Sequence, residues 1–300
     1  MHLPAFLRRA PLALAALLLA GGMLAQSALA LDMPNPSEVA KTAWQADVAG
    51  MASADDNAGR RDYLRKRLDA AGMPAQVHTF LHGTVTGENL IADVSGRTEQ
   101  PLLLIGAHSD RVSAGRGATD NASGSAVALA LAERFRVQPL QRHRVQVAFW
   151  DLEEEGLRGA AAYVADKREK PALYVNFDVF GWGDSLWMMT PDDAHPLVAR
   201  SRDAAQAQGL QITAGRQYPP TDHLAFLKAE WPAVSYSLVG ATEIPNILAV
   251  FGGKEPESMP KVMKVIHSAD DTIEHVDADA VAKGIDAVEA AIRAWDAGVE

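Results

Sequence analysis

Five short segments that follow or lie close to apolar, strand-like runs carry side chains able to bind metal ions. They are His108 in GAHSD, Asp120 in GATDN, Glu153 and Glu154 in DLEEEG, Asp178 in NFDVFG and His267 in IHSADDT. Two imidazoles and several carboxylates gathered at strand ends form a ligand set that can hold two zinc ions and activate water. The 300-residue chain has no cysteine, which excludes disulfides and thiolate zinc sites. Zinc would have to be held through nitrogen and oxygen, a restriction that favours a catalytic over a structural metal.

Singly, each segment also has an ordinary reading. His108 ends the apolar run Leu102–Ala107 and could be a polar strand terminus, but Asp110 two residues on could accept its second ring N–H and orient it. Asp120 could cap the helix that follows, although Asn121 or Ser123 could do so and leave Asp120 free. Glu153 and Glu154 stand directly against the core run ending at Trp150, where a merely solvated charge run is uncommon. One of this pair can bind metal while its neighbour works as a base. Asp178 follows the apolar Tyr174-Val175-Asn176-Phe177, where an acid without a compensating cation is costly.

These residues need a frame that brings distant segments together. Apolar periodicity predicts two helices between Pro36 and Ala71, the second ending at Gly72, then a hairpin-like pair in QVHTFL and NLIADVS. PLLLIGAH, HRVQVAFWD and ALYVNFDVF are near-continuous apolar runs, as in strands covered on both faces, with helical stretches SAVALALAERF and GLRGAAAYVADKRE between them. Further strands are expected in SLWMMT, QITAG and AVSYSLV, and helices in HPLVARSRDAAQAQG, DHLAFLKAE and DADAVAKGIDAVEAAIRAWDAG. The fold class is therefore α/β: a single globular domain with a mostly parallel, mixed central β-sheet sandwiched between helices. The Gly- and Pro-rich connection from Val239 to His267 is expected to be a pocket wall, a lid or a surface excursion.

Residues 1–30 read as a signal peptide, with Arg8 and Arg9, a short apolar core and the cleavage motif Ala28-Leu29-Ala30, leaving 31–300 as the working domain. The expectation is an exported protein, periplasmic or secreted, with no membrane attachment after leader removal. Net charge is −10, and loss of Arg8 and Arg9 would take it to about −12, which argues against nucleic acid as a partner.

In order, HSD, GATDNASG, EEEGLRG, NFDVFG, TDHLAFL and HSADDT resemble the blocks of the secreted co-catalytic zinc aminopeptidases. Their superfamily also holds glutamate carboxypeptidases and glutaminyl cyclases, and the similarity runs from about Asn89 to Asp271. The resemblance implies a zinc-exopeptidase-like fold and two zinc ions per chain, one held by His108 and Asp178, the other by Glu154 and His267, with Asp120 bridging. It implies Glu153 as general base, Asp110 as the carboxylate that orients His108, and a cis peptide after Asp120. Tyr218 in YPPTDH matches a tyrosine that in some aminopeptidases faces the developing oxyanion. Asp222 and His223 resemble an SDH or DDH block with Thr221 in place of serine. Ile266, where many relatives carry an aromatic residue, and Ala160 after GLRG depart from the pattern without removing a ligand. Peptides are the implied substrates, cleaved at a free N-terminus. Rival readings are glutaminyl cyclisation or carboxypeptidase action on the same scaffold, and a metal-free binding protein. Oligomeric state stays open.

Overall fold

The computed structural model describes residues 36–298, so the expected leader, residues 1–30, lies outside the described residues. Among the described residues no helix is long and apolar enough to cross a membrane. The chain begins with helices α1 (Pro36–Ala52) and α2 (Asn57–Ala70), the second capped by Asp56, whose side chain accepts the Gly59 N–H. Strands β1 (Gln76–His82) and β2 (Val85–Ser95) pair antiparallel as the hairpin expected from their alternating pattern. Next come β3 (Leu102–His108), α3 (Gly124–Val137), β4 (Arg144–Trp150), α4 (Arg158–Ala165) and β5 (Leu173–Phe180). They are followed by β6 (Ser185–Met189), α5 (Pro196–Ala207), β7 (Gln211–Gly215), α6 (His223–Lys228) and β8 (Ala233–Val239). Two short helices, α7 (Ile244–Phe251) and α8 (Lys261–Val265), fill the Gly- and Pro-rich connection. The closing helix α9 (Ala278–Ala297) starts at Asp277, whose carboxylate accepts the N–H groups of Asp279 and Ala280.

The eight strands form one mixed sheet in the order β1-β2-β4-β3-β5-β8-β6-β7. The central block β4-β3-β5-β8 is parallel, as are β6 and β7, whereas β1–β2, β2–β4 and β6–β8 are antiparallel. Period-two side-chain alternation explains why the central runs read as continuously apolar. Leu103, Ile105 and Ala107 of β3 join a large core with residues of α1, α3 and α9 on one face, while Leu102 and Leu104 pack on the other face with Trp150, Tyr163 and Phe226. A third apolar cluster unites Trp182, Trp187 and Val239 with Ile244, Ile247, Val262 and Val265 of the late helices. The Val239–His267 connection is thus a packed wall with its own small core.

From β3 the chain crosses through α3 to β4 on one side, then through α4 to β5 on the other side of β3. Such a reversal opens a crevice at the carboxyl ends of the strands, and all the predicted ligands gather there.

Candidate metal centre

His108 is the last residue of β3, and Glu153 and Glu154 follow β4 by three and four residues. Asp178 lies near the end of β5, Asp120 in the irregular turn Ala118–Ser123 before α3, and His267 just beyond α8. Distances separate two groups of donors. His108 Nε2 is 3.1 Å from Asp120 Oδ1 and 3.5 Å from Asp178 Oδ1. His267 Nε2 is 3.2 Å from Asp120 Oδ2 and 3.0 Å from Glu154 Oε2. Asp120 therefore offers one oxygen to each group, and within each trio the ligand atoms lie within 4.8 Å of one another. Glu153 belongs to neither trio.

These donors suit a cation. A tetrahedral zinc with bonds of about 2.1 Å sets its ligands about 3.4 Å apart, close to the spacings found. His108 Nε2, Asp178 Oδ1 and Glu154 Oε1 are also buried without a hydrogen-bond partner, an arrangement that is costly unless the atoms serve a bound species. The two trios differ in access: the His108 side chain is 1% exposed and that of His267 53%.

The electrostatics follow from packing acids together. Burial pushes the Glu153 carboxyl up to about 10, and the charges of Asp222, Asp178 and Asp120 add to it. Glu154 is also raised, chiefly by burial. Burial opposes charge on Asp120 too, yet the imidazoles of His108 and His267 against its two oxygens hold it below the usual carboxylate range. Hydrogen bonds to Asp120 and Glu154 push His267 up to about 10. Asp222 is fully buried with neither oxygen partnered, and burial, reinforced by the charges of Asp178 and Asp110, pushes its pKa well above the ordinary carboxylate value.

Loops beside positions 108, 120, 153 and 154 are braced by side chains from elsewhere in the chain. Asp110 faces His108 with its carbonyl oxygen at 3.2 Å from Nδ1 and its carboxylate at 3.4 Å. The carboxylate itself accepts the backbone N–H groups of Glu153 and Glu154, both at 3.1 Å. The orienting partner expected for His108 is thus also the clasp of the Glu153–Glu154 loop. Asp271 does the same for the bridging residue, accepting the N–H groups of Thr119 at 2.6 Å and Asp120 at 3.2 Å. Asn89 reaches from β2 to accept the Asp151 N–H at 3.0 Å and to donate to the Gly159 carbonyl at 2.9 Å; a Cβ on Gly159 would strike both Asn89 and Asp151. Arg60 of α2, wholly buried, donates to the carbonyls of Ser109 at 2.7 Å and Arg116 at 3.0 Å, and burial lowers its guanidinium to about 10.

The chain around the site is strained. Leu152, Val179 and His267, each a ligand or beside one of the site's acids, have φ of 57°, 53° and 57°. A β-branched residue such as Val179 is rarely found there, and such outliers gather at functional sites. The Asp120–Asn121 peptide is cis, as the resemblance implied. Asn121, not Asp120, accepts the Gly124 N–H at the start of α3. Asp222, which precedes α6, makes no capping bond to it.

Tyr218 stands in the wall of the cavity above the donors. Its hydroxyl is bonded to Ser237 Oγ, which in turn donates to the Asp178 carbonyl, and Ser235 donates to it at 3.4 Å. The hydroxyl is therefore engaged in a side-chain chain leading to β5 and is not turned freely toward the acids. Burial raises its pKa well above the ordinary value.

The cavity itself has a volume of about 160 Å³. Asp120, Glu153, Glu154, Asp178 and His267 line one end, and Trp187, Ile247, Phe251, Val262 and Met263 the other.

The parallel centre of the sheet, the crevice beside β3 and the paired imidazole–carboxylate groups define the α/β fold of the zinc exopeptidases. The model of peptidase family M28 matches residues 89–292, and the chain belongs to that family. It is 31% identical over 252 residues to leupeptin-inactivating enzyme 1 of Streptomyces exfoliatus, covering 79% of this chain and 55% of that protein. It is 30% identical over 209 residues to leucine aminopeptidase 2 of Trichophyton equinum, covering 64% of this chain and 41% of that one. The chain thus spans about half the length of these curated relatives. Among solved structures, a glutaminyl cyclase from an Acidobacteriales bacterium superposes with a TM-score of 0.67 at 18% identity, covering 92% of this chain and 100% of the other. A zinc aminopeptidase from Bacillus subtilis does so with a TM-score of 0.57 at 24% identity, covering 70% and 50%.

Proposed function

We propose that this chain hydrolyses peptide bonds at a free N-terminus, with two zinc ions in the centre built around Asp120. The observation that carries this reading is the position of Glu153: it lines the same cavity as members of both donor trios yet belongs to neither. His108 and Asp178 would hold one ion, Glu154 and His267 the other, with Asp120 common to both. When bound, such ions lower the pKa of water and polarise a carbonyl.

The residues of the chain do the rest. Glu153 would take a proton from the attacking water on its carboxylate and later deliver it to the leaving amine, the charge of cations held beside it offsetting the burial that otherwise raises its pKa. Asp110 keeps the Glu153 backbone in place during this exchange. The apolar end of the cavity excludes water and receives the first side chain of the peptide, while the surrounding acids attract its free amine. Tyr218 could reach a developing oxyanion only by giving up its bond to Ser237, so its part is first of all to shape the wall. We further infer that the chain acts on peptides after export directed by residues 1–30, and that it needs neither nucleic acid nor membrane.

Metal analysis of the purified protein, joined to a panel of N-terminally free, N-acylated and N-terminal glutaminyl peptides, tests the reading. Two zinc ions per chain and cleavage of free peptides alone are expected. One zinc with release of ammonia from glutaminyl peptides would make the chain a cyclase, and hydrolysis restricted to blocked peptides would overturn the N-terminal preference. Glu153→Gln should keep its metal and lose at least about a hundredfold in turnover, as removal of a general base does.

A further inference from the structure

Tyr218 and Pro220 separate two cavities. Behind the catalytic one lies a second, of about 230 Å³, lined by Met189, Arg216, His223, Leu224 and Leu227 together with that shared wall. Its chemistry is mixed in a particular way. Met189, Leu224 and Leu227 offer an apolar floor, while Arg216, exposed just beyond β7, forms no ion pair or side-chain hydrogen bond among the described residues. Arg is always charged, so this guanidinium is free to meet an anion that enters the cavity. His223 is 2% exposed, stands edge-on to Tyr218 with ring centroids 5.7 Å apart, and has a buried Nδ1 without a partner. Burial keeps its ring neutral, so Arg216 is the cation of this cavity.

We propose that this second cavity receives the residue that follows the scissile bond, its apolar side chain on Leu224 and Leu227 and its C-terminal carboxylate on Arg216. The inference rests on the peptidase reading and extends it: the preferred substrates become dipeptides with a free C-terminus and an apolar second residue. Tyr218 and Pro220 line both cavities, so a peptide held with its first side chain among Ile247, Phe251 and Met263 would need to pass only this shared wall for its second residue to enter the pocket. The acids of the centre repel a substrate carboxylate, which gives the Arg216 position its value. An arginine fork grips a carboxylate through two parallel hydrogen bonds, a geometry that lysine or glutamine cannot reproduce.

The test compares leucyl-leucine with leucyl-leucinamide, and leucyl-glutamyl amide with leucyl-glutaminyl amide, on the zinc-loaded enzyme and on Arg216→Gln. For the wild type, amidation of leucyl-leucine should raise KM about tenfold with little change in kcat, as expected for loss of a charge-assisted contact at a partly exposed site. Arg216→Gln should handle acid and amide alike by losing its grip on the acid. Equal KM values for acid and amide in the wild type, or an acid preference that survives Arg216→Gln, would overturn the proposal. So would a preference for the glutamyl over the glutaminyl amide with none for acid over amide, because the carboxylate read would then be a side chain's. A wild type that cleaves none of the four peptides refutes the peptidase reading itself, whereas cleavage of all four at one KM refutes only the subsite.

Discussion

Asp110 is the place where the structure makes a quantitative demand. Its side chain is 1% exposed, and its carboxylate holds the N–H groups of both Glu153 and Glu154 at 3.1 Å. A hydrogen bond to a charged acceptor contributes about 1.5–3 kcal/mol, so Asp110→Ala removes about 3–6 kcal/mol of interaction. Because Glu153 and Glu154 are only partly buried, the lower end, about 3 kcal/mol, is expected. Asp110→Asn keeps one acceptor oxygen and sets an amide NH2 against the second N–H, so about half of that loss should remain. Urea unfolding in the presence of chelator isolates this effect from metal binding, and a zinc titration against a competing chelator measures the second consequence. Freeing the Glu153–Glu154 loop and the His108 ring should weaken zinc about 10- to 100-fold, the usual effect of losing a residue that orients ligands. If Asp110→Ala unfolds within about 0.5 kcal/mol of the wild type and binds zinc equally well, the clasp is ornamental and the reasoning fails.

Three further outcomes are expected. Hydrogen bonds hold the His267 pKa up to about 10, so a cation taking its place among Asp120 and Glu154 must displace a proton; zinc binding should release protons and tighten with rising pH. Calorimetry in buffers of different ionisation heat, between about pH 6 and about pH 8, would expose an error by showing no proton release. Glu243 accepts from Trp182 Nε1 at 3.0 Å, Gly240 N at 3.2 Å and Val262 N at 3.1 Å, fastening the wall that carries Ile247 and Met263. Glu243→Ala should therefore reduce discrimination between leucine and alanine as first residue several-fold through KM, and unchanged ratios would count against a selective wall. His195 caps α5 by accepting the Leu197 N–H at 3.3 Å, and burial lowers its pKa. The unfolded chain then binds more protons, so stability present above about pH 6.5 should fall as pH drops below it. Part of that fall should vanish in His195→Asn; an identical pH profile for the variant would exclude this source.

The ligands were legible because acids and imidazoles at the ends of apolar strands violate the ordinary burial preference, and the violation is local. His108, Glu153 and Asp178 announce themselves in this way. Their braces do not. Asn89 is a polar residue in an apolar strand run, a signal that could have been read, but its partners Asp151 and Gly159 lie 62 and 70 residues away. Arg60 looks like one more charge in RRDYLRKR, and Asp271 one of two acids in HSADDT; only the docking of α2 and of the segment after α8 shows what they hold. Predicted as one helix, GLRGAAAYVADKRE forms only Arg158–Ala165, because Leu157 and Lys167 adopt positive φ at its two ends. The hydroxyl of Tyr218 could be located only once β8 had placed Ser235 and Ser237 beneath it.

The absence of cysteine acquires a different meaning beside the shared carboxylate of Asp120. No covalent cross-link ties this chain, yet ions gripping side chains at positions 108, 120, 154, 178 and 267 would close loops over most of its second half. Joining distant residues removes freedom from the unfolded chain, and the gain grows slowly with the length enclosed. The centre would then do for this protein what disulfides do for others, as a reversible rivet that chelators open and zinc restores. Its working lifetime would be governed by the metal content of its surroundings rather than by their redox state.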